Sequence, residues 1–502
     1  MEEKFTELRR LLARVGDLNA AADVLEWDQE TYMPPGAAAV RAQQIATLRK
    51  LAHEYLTADE IGNLLSDLSA QLNGYAPDSL EASLIRVSRR DYDRATRVPA
   101  RLIAEMAEAV GLAKHAWKMA RETNAFDTFA PHLERLVELN LQKAEALGYE
   151  DRLYDALLDE YEPGMRTSDV ERIFESLRAE LVPIVQAIAE QPQPDDSFLH
   201  RHFDSRKQWN FTLEVLRDLG YDFNRGRQDV SAHPFSTSFA ITDVRVTTRV
   251  NENYFPTALF GSMHEAGHAM YEQGIDPSLE RTPLAAGTSL GMHESQSRLW
   301  ENQVGRSLAF WTHYYPKLRQ IFPEQLSDVS LEAFHRALNR VQPSLIRVEA
   351  DEVTYNLHIM LRFELENALV ERQIAIRDLP DLWNARMEEY LGILPDSDAN
   401  GVLQDIHWSL GTLGYFPTYA LGNLMSAQLF GQAKKDVPDL DDQIASGRFD
   451  GLLGWLREHV HRYGRELTAT QILERATGEG LQARSWLAYI RARYSHIYPG
   501  AF

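Results

Sequence analysis

His264 and His268 stand four residues apart, with a carboxylate beside the first, in the run His264-Glu265-Ala266-Gly267-His268. On a helix, residues i and i+4 share a face, so both imidazoles can reach one cation while Glu265 lies close to its water. That is the layout of a zinc hydrolase. Zinc accepts imidazole nitrogen readily, and a catalytic site needs three protein ligands and one open position. The chain has no cysteine, so no thiolate can complete the set and no disulfide can form. The residues suit a metal-dependent peptidase, with Glu265 as its general base.

The third ligand is less directly marked. A metzincin pattern is absent, because the positions three and six beyond His268 are Tyr271 and Gly274. A later carboxylate is the usual alternative, and Glu272, Glu280, Glu294 and Glu301 are the candidates. Glu272, at i+4 from His268, would crowd a third ligand onto one short helix. Glu280 sits beside Pro277 and Pro283 in an expected loop. Glu294, in His293-Glu294-Ser295-Gln296-Ser297-Arg298, begins a new helical run through Leu299 and Trp300, flanked by hydroxyl and amide groups that can orient it. Spacing alone gives it a modest lead over Glu301, since a glutamate near a helix start also answers to the helix dipole.

These residues need a scaffold, and the periodicity describes one. The first 190 residues read as successive amphipathic helices, with apolar residues recurring at three and four, as in Leu8-Leu11-Leu12 and Leu133-Leu136-Val137. Met33-Pro34-Pro35-Gly36 breaks the chain, as does Glu162-Pro163-Gly164-Met165, after which Thr167 or Ser168 is the expected N-cap. Residues 191–196 and 395–401 read as loops. Between Phe239 and Val250, Val244, Val246 and Val250 alternate with Arg245, Thr247 and Arg249, which predicts a strand. A small sheet is therefore expected just upstream of the histidine helix, where a strand edge could pair with an extended peptide or simply brace the helices. Gly274 is the expected residue just past the end of that helix, and helices follow to the C-terminus. No linker divides the chain, so residues 1–502 read as one catalytic domain, helical over about 1–190 and carrying the metal site over about 230–420.

Composition narrows the function classes. The 502 residues are 44% hydrophobic, ample for a large core. The charged start MEEKFTELRR has no apolar signal region, and no run approaches membrane-spanning length, so a cytoplasmic enzyme is expected. Fifty-two basic against seventy-four acidic residues give a formal charge of -22, which disfavours nucleic acid and anionic membranes as partners.

Six motifs occur in order: His233-Pro234-Phe235, Asp243-Val244-Arg245-Val246-Thr247, the His264–His268 run, His293-Glu294-Ser295-Gln296, Ile346-Arg347-Val348-Glu349-Ala350-Asp351, and Gly401-Val402-Leu403-Gln404-Asp405-Ile406-His407-Trp408. With Trp27-Asp28-Gln29-Glu30-Thr31 near the start, they make the chain resemble the carboxypeptidase Taq family of metallocarboxypeptidases, with no departure at any motif position. The resemblance implies that Glu294 is the third zinc ligand, that the fold is mainly α with a deep active-site groove, and that the protein is a homodimer.

An exopeptidase also needs a cation for the terminal carboxylate of its peptide, and a guanidinium fits that group with two parallel hydrogen bonds. Arg347 ranks first and Arg245 second; the bland alternative for Arg347 is a salt bridge to Asp351 or Glu349. His407, Tyr415 and Tyr419, in a glycine-broken segment, are the candidate donors to the oxyanion. His233 is expected to shape the groove, and His200, His202, His459 and His461 to lie in solvent. Cobalt is a possible substitute for zinc. A helical endopeptidase would share the metal chemistry without needing the arginine, and a metal-dependent scaffold would have no use for Glu265.

Overall fold

A computed structural model describes residues 2–72 and 75–502, and among them helices dominate, with one three-stranded sheet. The chain packs as two compact units, each assembled from three separate stretches.

The first unit comprises Met1–Thr96, Asp195–Leu338 and Gln428–Leu481. Its N-terminal helices include Glu2–Thr31, Ala38–Leu56 and Asp59–Ser69, and the first break falls at Met33–Gly36 as the prolines require. The apolar stripes do what their spacing predicts. Leu8, Leu11 and Leu12 meet Ile61, Leu65 and Leu68 in a core that also takes in Ile275, Leu279 and Leu284. Each such leucine, fully buried, contributes about 1.5–3 kcal/mol. The core thereby anchors residues 275–284, the connection between the two helices that carry the metal ligands.

The sheet has strands β1 (Gln228–Val230), β2 (Ser236–Ala240) and β3 (Asp243–Thr248) in the order β1-β3-β2, with β1 parallel and β2 antiparallel to β3. The alternation located β3, where Val244 and Val246 are fully buried. It fails at Thr247, which is also buried because its hydroxyl bonds Ser231 and Phe235 beside it. β1 is too short for any period to reveal. β2 and β3 pack against the helix Pro256–Gln273, which holds both histidines. Pro256 suits the first helical turn, where a missing N–H costs nothing. Apolar groups surround this helix, with Leu259, Phe260, Met263, Ala266, Ala269, Met270 and Tyr271 all buried. A helix apolar on every side is a core helix, so it shows no amphipathic stripe.

Gly274 follows this helix as expected but with φ -90°, not in the left-handed region. Its value is space: a Cβ there would stand 2.5 Å from Nδ1 of His461. The next helix, Leu290–Arg298, starts a turn earlier than the sequence suggested, with the Ser289 side chain accepting the N–H of Met292. It runs directly into a π-helical stretch, Leu299–Val304, a rare geometry that recurs at functional sites.

The second unit comprises Arg97–Pro194, Asn339–Ala427 and Gln482–Phe502. Its central helix, Tyr355–Val370, is buried along nearly its whole length against Phe126–Leu147, Leu153–Leu158, Thr167–Ala189 and Leu379–Leu391. Gly164 takes φ +82° in the predicted turn. Neither Thr167 nor Ser168 is the N-cap of the following helix, because Asp155 from an earlier helix accepts both the N–H and the hydroxyl of Thr167. That cap is tertiary, so no local pattern announces it.

Candidate metal centre

Gly267, inside the histidine motif, lets the two ligand helices touch. A Cβ at this position would lie 2.6 Å from the carbonyl oxygen of Gln296 and 2.6 Å from Cα of Ser297. No other residue permits that approach, and it carries Glu294 onto the histidine face. His264, His268 and Glu294 offer ligand atoms that all lie within 4.8 Å of one another. Nε2 of each histidine is 3.5 Å from Oε2 of Glu294, and the two rings stand nearly perpendicular, 82° apart. The three form the metal site.

The atoms facing away from the site are each held. Nδ1 of His264 meets Oε2 of Glu301 at 2.9 Å, and Nδ1 of His268 meets Nδ1 of His293 at 2.8 Å. Arg298 donates from Nε to Oε1 of Glu294 at 2.7 Å and from a terminal nitrogen to Glu301 at 3.1 Å, so one guanidinium bridges the ligand and the backing carboxylate. The Ser297 hydroxyl adds a bond to Oε2 of Glu294. The expected orienting groups thus exist but are Ser297 and Arg298. Ser295 instead bonds Met292, and Gln296 meets Nε2 of His461 at 2.9 Å. His461, expected in solvent, is fully buried, and burial pushes its pKa down to about 3. His200 and His202 are exposed as expected.

Three features show that these donors fit a divalent cation. Two nitrogens and a carboxylate oxygen converge at separations suited to one small ion. Their outward faces are hydrogen-bonded, as orienting partners of metal ligands are. Charge gives the third: Glu294 and Glu301 face Arg298 and Arg306, Glu272 pairs with His293 and Glu265 lies close by, so acidic side chains outnumber guanidiniums four to two. Burial lowers His268 to about 4, leaving its imidazole neutral and able to ligate. Despite the cost of burial, Arg298 and both histidines hold Glu294 well below the carboxylate range. Glu265 is buried and has no such cation; burial and the neighbouring Glu294 and Glu301 raise it to about 7 against the pull of His264.

The other three glutamates weighed as ligands have different places. Glu301 backs His264 across the π-helical turn, and Glu272 bonds Nε2 of His293 at 2.7 Å. Glu280 lies in the loop where it was expected, after the short turn Pro277–Leu279.

Arg245 and His233 belong to the sheet region. Arg245 donates twice to Asp243 and lies over the rings of Trp27, 4.4 Å from its centroid, and Phe239. The Trp27 motif therefore wedges the first helix onto β2 and β3. His233 is exposed.

The second unit holds another buried ionic cluster. Arg347 donates from Nε and a terminal nitrogen to Oδ1 of Asp405 at 3.0 and 2.8 Å, and from its other terminal nitrogen to the Tyr355 hydroxyl. Its salt-bridge partner is thus neither Asp351 nor Glu349. Asp351 is occupied by the backbone N–H groups of Gln342, Val353 and Thr354. Arg362, fully buried, takes Oδ2 of Asp405 at 2.7 Å and stacks on Trp383. Two guanidiniums share one carboxylate, which they hold far below its usual range although burial works the other way. Beside them, Nε2 of His407 lies 3.2 Å from the Tyr419 hydroxyl, and the rings of His407, Tyr415 and Tyr419 are in mutual contact. Burial lowers His407 to about 4, against the pull of Asp405. The glycine-broken character of this segment is real: Gly411 and Gly414 take φ +66° and +91°.

Sequence reasoning missed Asp405 and Arg362 as partners, although Asp405 stands inside a quoted motif. It also missed Glu366, which accepts from Trp408, Tyr154 and Gly414 and so ties down the segment bearing His407 and Tyr415.

The profile of the carboxypeptidase Taq (M32) metallopeptidases matches residues 7–494. Among characterised proteins, the chain is 42% identical to thermostable carboxypeptidase 1 of Thermus thermophilus, over 99% of this chain and 98% of that one. It is 40% identical to carboxypeptidase 1 of Bacillus subtilis, over 97% of each. A crystal structure of a carboxypeptidase of this group from Deinococcus radiodurans superposes with a TM-score of 0.96 at 43% identity, covering 99% of this chain and all of that one. Among the described residues no helix is long and apolar enough to cross a membrane.

Proposed function

The chain belongs to the carboxypeptidase Taq family of metallocarboxypeptidases, and from that premise we propose that it releases C-terminal residues from peptides with a free carboxylate, using zinc held by His264, His268 and Glu294. The observation that carries the reading is the convergence of two imidazole Nε2 atoms on Oε2 of Glu294, each 3.5 Å from it. Zinc is preferred because the donor set is two imidazoles and one carboxylate without thiolate; cobalt suits the same donors. When bound, such an ion supplies Lewis acidity toward water and toward a carbonyl oxygen.

The chain's own residues do the rest. Glu265 accepts a proton as the water oxygen bonds to the scissile carbonyl carbon, and delivers it to the amine nitrogen as the C–N bond breaks. Its raised pKa suits a group that must both take and return a proton near neutrality. His407, Tyr415 and Tyr419 are assigned to the developing oxyanion, for which neutral hydrogen-bond donors are needed. Arg347 is assigned to the terminal carboxylate, supported by the net positive charge of two guanidiniums on one aspartate. Arg245 and His233 are assigned to the peptide's path along the sheet, where β2 is an edge strand half-exposed over its whole length. A main-chain grip of that kind reads no side chain, which favours broad specificity. In this reading residues 1–502 act as one catalytic domain, in a cytoplasmic homodimer.

Timed digests of free-acid and amidated copies of one peptide, read by mass spectrometry with and without chelator, test the proposal. A ladder of single C-terminal losses from the free acid alone, abolished by chelator and restored by zinc, is the expected result. Equal cleavage of amidated peptide at internal bonds would reject it.

A further inference from the structure

The two histidine ligands are oriented by different chemistry. Behind His264 stands a carboxylate, Glu301, in direct contact. Behind His268 stands a second imidazole, and behind that the buried carboxylate of Glu272.

The direction of each hydrogen bond in the second arrangement follows from its end. Oε1 of Glu272 receives the N–H of Gly287 at 2.9 Å and lies 2.7 Å from Nε2 of His293. A carboxylate only accepts, so Nε2 of His293 carries the hydrogen. With a single N–H on that ring, as a ligating His268 that donates from Nδ1 requires, Nδ1 of His293 is bare and accepts. The atom 2.8 Å away is Nδ1 of His268, which must therefore donate. Nε2 of His268 then keeps its lone pair, and it is the nitrogen that faces Oε2 of Glu294.

The packing holds this order in place. A Cβ on Gly287 would stand 2.4 Å from the His293 ring, so the loop presents its N–H to Glu272 only because the residue is glycine. The Tyr271 ring also packs on His293, with centroids 5.1 Å apart. The His293 ring is thus packed against Gly287 and Tyr271 while its Nε2 meets Glu272.

We propose that His293 and Glu272 are positioning residues for the metal, a relay that holds His268 in the one tautomer able to ligate. The inference rests on the metal reading above, and the experiment separates the two. Zinc dissociation constants of the full-length protein and its variants are measured by chelator competition, alongside the visible spectrum of the cobalt-loaded forms. A parent protein that binds no metal would sink the metal reading itself, whatever the variants do.

With metal bound by the parent, His293→Ala and His293→Gln should weaken binding by about 10- to 100-fold. His293→Asn should stay within a few-fold of the parent, because its Oδ1 stands near the place of Nδ1 and can accept from His268. The amide of His293→Gln instead reaches toward Glu272. Glu272→Gln should weaken binding several-fold and broaden the cobalt spectrum, since its amide can face Nε2 of His293 as donor or acceptor and frees the tautomer. A merely structural role would lower the unfolding midpoint of all variants in chelator without ranking Asn above Gln. The relay is overturned if His293→Ala binds zinc as tightly as the parent, or if His293→Asn is no better than His293→Gln. The Asn and Gln pair carries the test should the alanine variant fail to fold.

Discussion

The two buried ionic clusters are built with opposite sign. Around His264 and His268, acidic side chains outnumber guanidiniums four to two, whereas around Asp405 two guanidiniums face one carboxylate. A histidine in each is pushed down by burial, His268 and His407 both to about 4, whereas Glu294 and Glu301 raise His264 despite its burial. Buried charge without a counter-charge is expensive, so neither cluster is complete by itself. The first is rich in acidic side chains, which suits the cation proposed for it. The second has two guanidiniums on one carboxylate, which is the basis for assigning it the substrate carboxylate. The difference teaches that the sign of each cluster's surplus matches the ligand proposed for it.

The strongest way to break the comparison is to remove a ligand from the acidic cluster. Glu294→Ala should lose the metal and drop activity to the level of chelator-treated protein, as should His264→Ala. Elemental analysis decides it: a full equivalent of zinc on the Glu294 variant would transfer the ligand role to Glu301. Next in size is Glu265→Gln, which removes a proton acceptor while keeping shape. Turnover should fall by at least about a hundredfold with zinc still bound. Near-normal turnover would strip Glu265 of its role and leave the acidic cluster as a metal cage alone.

The basic cluster is probed by Arg347→Lys, which keeps the charge but loses the fork that now spans Asp405 and Tyr355. If that fork also grips a terminal carboxylate, kcat/KM on free-acid peptides should fall by about 10- to 100-fold, from ~1.5–3 kcal/mol per charge-assisted hydrogen bond. Amidated peptides, poor substrates to begin with, should lose much less. An equal loss on both would show that Arg347 holds Asp405 in place and nothing more.

The clusters also differ in how much of them the sequence disclosed. The histidine pair was visible because a helix alone sets its geometry, and Glu294 followed from the family motifs. The backing residues were not visible. Glu301 and Glu272 were weighed as ligands and turned out to stand behind His264 and His293, because the approach allowed at Gly267 and the π-helical turn decide which carboxylate arrives first. The helices of the first 190 residues were read from their stripes, but the histidine helix has none. Asp405 was quoted only as part of a motif, while the partners considered for Arg347 were two and four residues away; the actual one is 58 residues distant. Local spacing reaches i+4, and buried ion pairs obey packing.

The smallest predicted effect separates two acids in the same unit. Arg362 and Arg347 pull Asp405 far down, but burial raises Glu366 to about 7, with Tyr154, Trp408 and Gly414 pulling the other way and Arg362 acting only weakly. A raised acid binds its proton more tightly folded than unfolded. Its stabilising contribution is therefore fully present below the ordinary value near 4.5 and is lost as pH rises through about 7. The loss is on the order of 3 kcal/mol, at about 1.4 kcal/mol per unit. Glu366→Gln is neutral at every pH and should remove this slope, so that the variant gains on the parent by that same amount as pH climbs from 4.5 to 7. Asp405→Asn should act in the opposite sense, abolishing stability that the parent loses only as pH falls below the carboxylate range, and leaving two guanidiniums without a counter-charge. Urea midpoints taken across pH 3 to 8 read both slopes. A Glu366→Gln curve parallel to the parent's over that whole span would mean the carboxyl is ionised like Asp405, and that its three donors, not burial, govern it.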